Sequence, residues 1–234
     1  MAERLRGTRI IVTGASRGLG RAVAEALAAQ GANLVLTATR VAHLEAAVEA
    51  CLRLGGSAEP IELDLGDAAS TDAAAAAAVA TLGRVDVLIN NAGLLGIRAL
   101  LADYPLDLWE RVMRVNVNGT LRLTQRVLPA MADGGAIVNV TSGAAGRATW
   151  GAYAISKLAI DGITGMLRDE LDERGLRILA INPGGVRTAM RATAHPQEDP
   201  ATLPHPASVT APFVAVAAGA DLGPRVEASQ WRER

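Results

Sequence analysis

Short runs of continuous apolar residues, each followed by a helix-like stretch, constrain this 234-residue chain more than any other feature. The runs are Arg9–Thr13, Asn33–Ala38, Ala58–Leu63, Val85–Asn90, Ala136–Thr141 and Arg177–Ile181. They are rich in Val, Ile and Leu and show no apolar–polar alternation. Strands read this way when both faces of a parallel sheet are covered. Between them, Leu19–Gln30, Val41–Leu54, Asp67–Leu82, Leu106–Met131 and Tyr153–Arg174 carry helical patterns. Gly31, Gly55, Gly83, Gly134 and Gly175 stand where helix C-caps are needed.

This alternation predicts one α/β domain over residues 1–234, a Rossmann-like doubly wound parallel sheet with helices on both faces. Half of the residues are apolar, enough for a sizeable core. The alanine run at 73–78 reads as ordinary helix, because alanine is the best helix former. The segment Arg187–Pro212 breaks the rhythm with Pro196, Pro200, Pro204, Pro206 and Pro212. Its length predicts a substrate loop or lid.

A net charge of −1 supplies no basic surface for nucleic acid or for an anionic membrane. Cys51 is the only cysteine, so no internal disulfide can form and a reducing compartment fits. Residues Met1 to Arg9 lack the apolar core of a signal peptide, and no apolar stretch is long enough to span a bilayer. A cytoplasmic protein with no membrane or nucleic-acid partner is expected.

The first predicted strand runs into Thr13-Gly14-Ala15-Ser16-Arg17-Gly18-Leu19-Gly20 and then directly into a helix. Glycines there permit a tight turn, close approach of backbone to a pyrophosphate, and close helix–strand packing. The helix N-terminus then faces the phosphates. A glycine triplet alone is weak; between a strand and a helix at the start of such a pattern it is a dinucleotide site. The second strand ends Leu36-Thr37-Ala38-Thr39-Arg40 with no acid before Glu45. An acid there would hold a ribose 2′-hydroxyl, whereas Arg17 and Arg40 could clamp a 2′-phosphate. NADP(H) is therefore preferred to NAD(H), although either arginine could be a solvated surface residue in so arginine-rich a chain.

The spacing is G-x-x-x-G-x-G. With Asp64, Asn90-Asn91-Ala92-Gly93, Asn116-Val117-Asn118-Gly119, Tyr153-Ala154-Ile155-Ser156-Lys157 and Asn182-Pro183-Gly184 it resembles the short-chain dehydrogenase/reductase family, in family order and over nearly the whole chain. The stretches NAGLLG, WGAYAISK and INPGGVRTAMRA are similar to a little-characterised bacterial subgroup. The resemblance implies cofactor contacts from Gly14, Ser16, Arg17, Gly18, Leu19, Gly20, Thr39, Arg40, Asp64, Leu65, Asn91, Ala92, Gly93, Tyr153, Lys157, Pro183, Gly184, Val186 and Thr188. Within that set it puts Asp64 at the adenine edge and Thr188 at the nicotinamide carboxamide. It also implies a homodimer or homotetramer and a small carbonyl or alcohol substrate.

Moving a hydride between nicotinamide and a carbonyl/alcohol pair needs an acid for the developing alkoxide, or a base in reverse. Tyr153 and Lys157, at i and i+4, share one face at the start of a helix. Such a pair is common on surfaces. Here, however, Lys157 is the one lysine among 23 basic residues. Arginine would keep the charge but, with a pKa above about 12, could not share protons. A lysine retained in an arginine chain is what a proton relay requires, and a cation near Tyr153 favours phenolate.

Ser142 follows the fifth strand and is the candidate for the substrate carbonyl. The family's Ser-to-Tyr interval is longer than Ser142–Tyr153, so Thr141 could slip into the role. Asn116 stands in mid-helix, where asparagine is unfavourable unless its amide is used. The resemblance gives it a water linking Lys157 to solvent; Asn118 is the lesser candidate. Leu94, Leu95 and Trp150 are candidate pocket walls. His195 and His205 lack partners at metal-binding spacing, so no metal is expected. Two rivals remain: a catalytically weak NADP(H) sensor, which the presence of both Tyr153 and Lys157 disfavours and the shortened loop keeps open, and a sugar-nucleotide epimerase or dehydratase, which the glycine spacing disfavours.

Overall fold

The computed structural model describes residues 4–231. Its seven strands form one parallel sheet in the order β3-β2-β1-β4-β5-β6-β7. The strands are β1 (Arg9–Thr13), β2 (Asn33–Ala38), β3 (Ser57–Glu62), β4 (Val85–Asn90), β5 (Met131–Val140), β6 (Arg177–Asn182) and β7 (Arg225–Glu227). Strand order reverses between β1 and β4, and ligands bind such sheets at the strand C-termini beside that switch point.

Alternation along each strand divides the core in two. Ile10 and Val12 of β1 point to one layer with Leu34, Leu36, Ile89 and Phe213, while Ile11 joins Val35, Leu88, Ile137 and Ile178 on the other. Helices α1 (Gly18–Ala28), α2 (Glu45–Arg53) and α8 (Ala211–Ala217) cover the first face. Helices α3 (Ala68–Leu82), α5 (Thr120–Val127) and α6 (Gly151–Glu170) cover the second. Apart from the edge strand β3, which is half exposed, each apolar run thus buries both of its faces, which is why those runs are continuous.

The alanine run is a regular helix. Asp67 caps α3 by accepting from the Ala69 amide at 2.8 Å. Asp72 on its outer face receives both Arg122 and Arg126 of α5.

The predicted helix 106–131 is interrupted. Helix α4 (Leu106–Met113) passes into a wide π-type turn, Arg114–Gly119, before α5. A Cβ at Gly119 would collide with the Leu65 carbonyl, so this turn packs directly on the loop after β3. Single π-turns of this kind recur at functional sites, and this one holds Asn116.

Other boundaries need correction. Met131 begins β5, and Gly134 lies inside that strand, where the register against β4 shifts between Val85 and Val87; it caps no helix. Segment 187–212 is not an irregular loop. It contains α7 (Ala189–Ala194) and two single 3₁₀ turns, Pro200–Thr202 and Pro206–Val209. Its last part buries Pro206 and Val209, with Val209 in the first core layer, and leads into α8, which starts with Pro212 in the first turn.

Candidate active site

The glycine turn is locked to β4 by its own side chains. Thr13 Oγ1 accepts from the Asn91 and Ala92 amides, both at 2.9 Å, and donates to the Ile89 carbonyl at 3.3 Å. Asn91 Nδ2 donates to the carbonyls of Thr13 at 2.8 Å and Gly14 at 3.2 Å. A Cβ at Gly20 would collide with both the Gly14 carbonyl and that same amide, so glycine is required there by close packing. Helix α1 starts at Gly18 with no side-chain cap and no acid in its first turn. Its N-terminal amides therefore remain available to an anion.

Leu19 and Gly20 are buried behind this turn, while Gly14, Ser16 and Gly18 are half-buried. Arg17, Thr39 and Arg40 are exposed at the ends of β1 and β2, and neither arginine has an ion-pair partner among the described residues. Asp64 is exposed after β3, its carboxylate accepting from the Gly66 amide at 2.7 Å, and Leu65 beside it is buried. Ala92 and Gly93 continue the floor, and a Cβ on Gly93 would lie 3.7 Å from Lys157 Nζ. Thr188 closes the ring of segments. Its methyl is 3.3 Å from where a Gly18 Cβ would stand, and its hydroxyl caps α7 through the Arg191 amide at 3.1 Å. Pro183 and Gly184 lie at the open end of β6, where the Asn182 side chain receives the Gly143 and Gly184 amides at 3.1 Å each. Val186 is part of the core.

The candidate catalytic side chains converge at the ends of β5 and α6. Tyr153 is 8 % exposed, and burial pushes its phenol above the ordinary value against a smaller, opposing effect of a hydrogen bond with Ser142. Lys157 is buried one turn on, donating to the Val140 carbonyl at 2.7 Å, with Nζ 5.7 Å from the Tyr153 ring centre. Burial lowers its ammonium to about 8, against the charge of Asp161. For Tyr153, burial is the larger of its two effects, and it favours the protonated phenol.

Ser142 is the hydroxyl beside Tyr153. The Thr141 hydroxyl is turned inward, fully buried and without a partner. Asn116 is buried and fully engaged. Its Oδ1 accepts from the Leu94 amide at 2.7 Å, and its Nδ2 donates to the Leu94 carbonyl and to Ser156 Oγ, both at 2.9 Å. Ser156 Oγ donates in turn to the Tyr153 carbonyl at 2.8 Å. Asn118 is exposed.

Sequence reasoning missed the support from Tyr104 and, although it named Trp150 as a pocket wall, the contacts that hold that ring. Tyr104 is buried against Gly96 and Gly151, each of which leaves no room for a Cβ, and so braces the first residue of α6 two positions before Tyr153. The Trp150 ring lies 6.0 Å from Tyr153 and 5.4 Å from His195, with the Arg98 guanidinium 4.8 Å over it. Neither cluster has a sequence motif, since each joins segments about 50 residues apart or more.

The short chain dehydrogenase family model matches residues 8–199, and the chain belongs to that family. It is 41 % identical over 207 residues to YciK, an uncharacterised oxidoreductase of Escherichia coli K12, spanning 86 % of this chain and 82 % of that one. The fold superposes with a TM-score of 0.92 on a Shigella flexneri short chain dehydrogenase complexed with NADP, at 36 % identity over 98 % of this chain and all of the other. A short chain dehydrogenase from Escherichia coli CFT073, complexed with NADPH, gives 0.91 at 36 % identity over 97 % and 98 %.

Proposed function

We propose that this protein is an NADP(H)-dependent oxidoreductase acting on a carbonyl/secondary alcohol pair, with Tyr153 as general acid/base. One observation carries the reading: Tyr153, Ser142 and Lys157 meet at the sheet's C-terminal edge, beside an uncapped helix N-terminus and a glycine turn. The cofactor, when bound, supplies or accepts the hydride. The exposed Arg17 and Arg40, with no acid at the end of β2, support 2′-phosphate recognition, as do the relatives complexed with NADP and NADPH. The backbone from Gly14 to Gly20 takes the pyrophosphate, Asp64 and Leu65 the adenine side, and Asn91 to Gly93 the floor. Pro183, Gly184, Val186 and Thr188 take the nicotinamide side.

Ser142 Oγ holds the carbonyl oxygen, and the Tyr153 hydroxyl delivers its proton as negative charge develops there. A protonated phenol is the form that carbonyl reduction needs. Lys157, with a pKa near 8, exchanges protons close to neutral pH, and Asn116 fixes the segment Gly93–Leu94 above it. The exposed Leu158 and Met166 on α6 support burial of that face in a homodimer or homotetramer. No helix among the described residues is long and apolar enough to cross a membrane, and a cytoplasmic location is the expectation.

Tyr153→Phe removes one hydroxyl. NADPH affinity by calorimetry should persist while carbonyl reduction falls by about 10²–10⁴, the usual general acid–base contribution. Undiminished turnover would show that Tyr153 is not the proton donor.

A further inference from the structure

Beside the catalytic cluster lies a cavity of about 310 Å³ whose walls are mostly apolar: Leu95, Ile97, Ala194 and Pro196. Two of these, Leu95 and Ala194, also pack against Tyr153. The cavity and the catalytic phenol thus share a wall. The polar lining comes from Thr193 and Arg98. The Thr193 hydroxyl already donates to the Ala189 carbonyl at 3.0 Å, which leaves Arg98 as the donor facing an incoming ligand.

Arg98 is held but not neutralised. Its guanidinium lies 4.8 Å over Trp150 and donates to Thr149 Oγ1 at 3.1 Å and to the Ala194 carbonyl at 3.5 Å. Both acceptors are uncharged, and a guanidinium has five N–H donors. Among the described residues it has no carboxylate partner. Glu198, the acid on the neighbouring segment, is taken by Arg191 through two bonds of 2.6 and 2.7 Å. The other group that could neutralise or add charge is His195. Its burial and the charge of Arg191 lower its pKa, and Arg98 lowers it further against the pull of Glu198. These effects favour the neutral imidazole, and the Arg98 guanidinium, held over the Trp150 ring with no carboxylate partner among the described residues, places a positive charge at the mouth of the cavity.

We propose that the substrate is a carbonyl compound with an apolar body and a carboxylate, and that Arg98 binds that carboxylate while the carbonyl meets Ser142 and Tyr153. This rests on the oxidoreductase reading above. Trp150 lies against both the guanidinium and the Tyr153 ring, so an aromatic or short aliphatic spacer running past it would bridge the two ends. The unused N–H groups of Arg98 suit the planar, two-oxygen geometry of a carboxylate. The apolar walls suit the spacer and reject a compact polyol.

The test compares 4-acetylbenzoate with its methyl ester, which differ chiefly in charge, as ketone substrates with NADPH. The wild type should prefer the acid in kcat/KM by at least about tenfold, the lower end for a charge-assisted hydrogen bond. Arg98→Gln keeps a polar, planar head without the charge, and the acid-to-ester ratio should collapse toward one. In parallel, calorimetry of terephthalate, a dianion that cannot be reduced at this site, should show binding that weakens at least tenfold in Arg98→Gln. A wild-type ratio near one, or a ratio that survives Arg98→Gln, overturns the proposal. If neither ketone is reduced, the titration still decides Arg98 separately from the oxidoreductase reading: binding sensitive to Arg98→Gln upholds it, and no binding refutes it.

Discussion

Lys157→Met should raise stability relative to the wild type at neutral pH more than at alkaline pH, even as it abolishes turnover. The ammonium is buried, and burial moves its pKa from the ordinary 10.5 to about 8. At about 1.36 kcal/mol per pH unit, keeping that charge buried costs on the order of 3 kcal/mol wherever it is protonated in both states. Methionine fills similar volume without the charge. It also strips the Val140 carbonyl of its donor, a loss of about 1–3 kcal/mol that does not depend on pH.

The pH dependence therefore separates the two effects. Between pH 8 and 10.5 the unfolded wild type holds a proton on Lys157 that the folded protein has released, so wild-type stability rises through that window. The lead of Lys157→Met over the wild type should shrink by on the order of 3 kcal/mol from pH 7 to pH 10.5. The comparison is unusually clean because Lys157 is the only lysine. Cys51, which burial raises from 9.0 to about 11, makes both proteins lose stability equally as pH climbs, and it cancels in the difference. Urea unfolding at several pH values reads the quantity directly. A difference that stays flat, or that grows with pH, would mean that Lys157 is not held as a costly buried ammonium, and the proton-relay argument would lose its footing.

The two candidate hydroxyls separate by stability as well as by rate. Ser142→Ala should lower turnover by about 10²–10³ with NADPH binding intact, whereas Thr141→Val removes a buried hydroxyl that has no partner and should leave turnover and stability nearly unchanged; steady-state rates and thermal melts check both, and the opposite pattern would move the carbonyl contact to Thr141. Calorimetry should find NADPH at least about tenfold tighter than NADH, and Arg40→Asp should shrink that gap; equal affinities in the wild type would refute 2′-phosphate recognition by Arg17 and Arg40.

What the sequence revealed and what it concealed divide along one physical line. Strands β1, β2 and β4 match their predicted limits because both faces of each are buried, so every residue in the run is under the same apolar demand. The proposed catalytic pair could be picked out for a related reason: Tyr153 and Lys157 lie one helical turn apart, and the glycine turn is one continuous segment, so their geometry is written in local spacing. Strand β7 was missed because three residues at a sheet edge carry no periodicity, α7 because it is six residues long in a segment otherwise broken by prolines, and α8 because Pro212, in its first turn, read as loop. The π-turn at Asn116 is invisible because its cause lies elsewhere in the chain, in the Leu65 carbonyl that Gly119 approaches and in Leu94, whose backbone the asparagine satisfies. Tyr104, Arg98, Trp150 and His195 belong with it. Their meaning comes from contacts between the loop after β4, the short loop before α6 and the segment around α7. On the proposed function these loops shape the substrate pocket, while the strand ends and α6 hold the chemistry. A sequence of this kind therefore discloses its family well before its substrate.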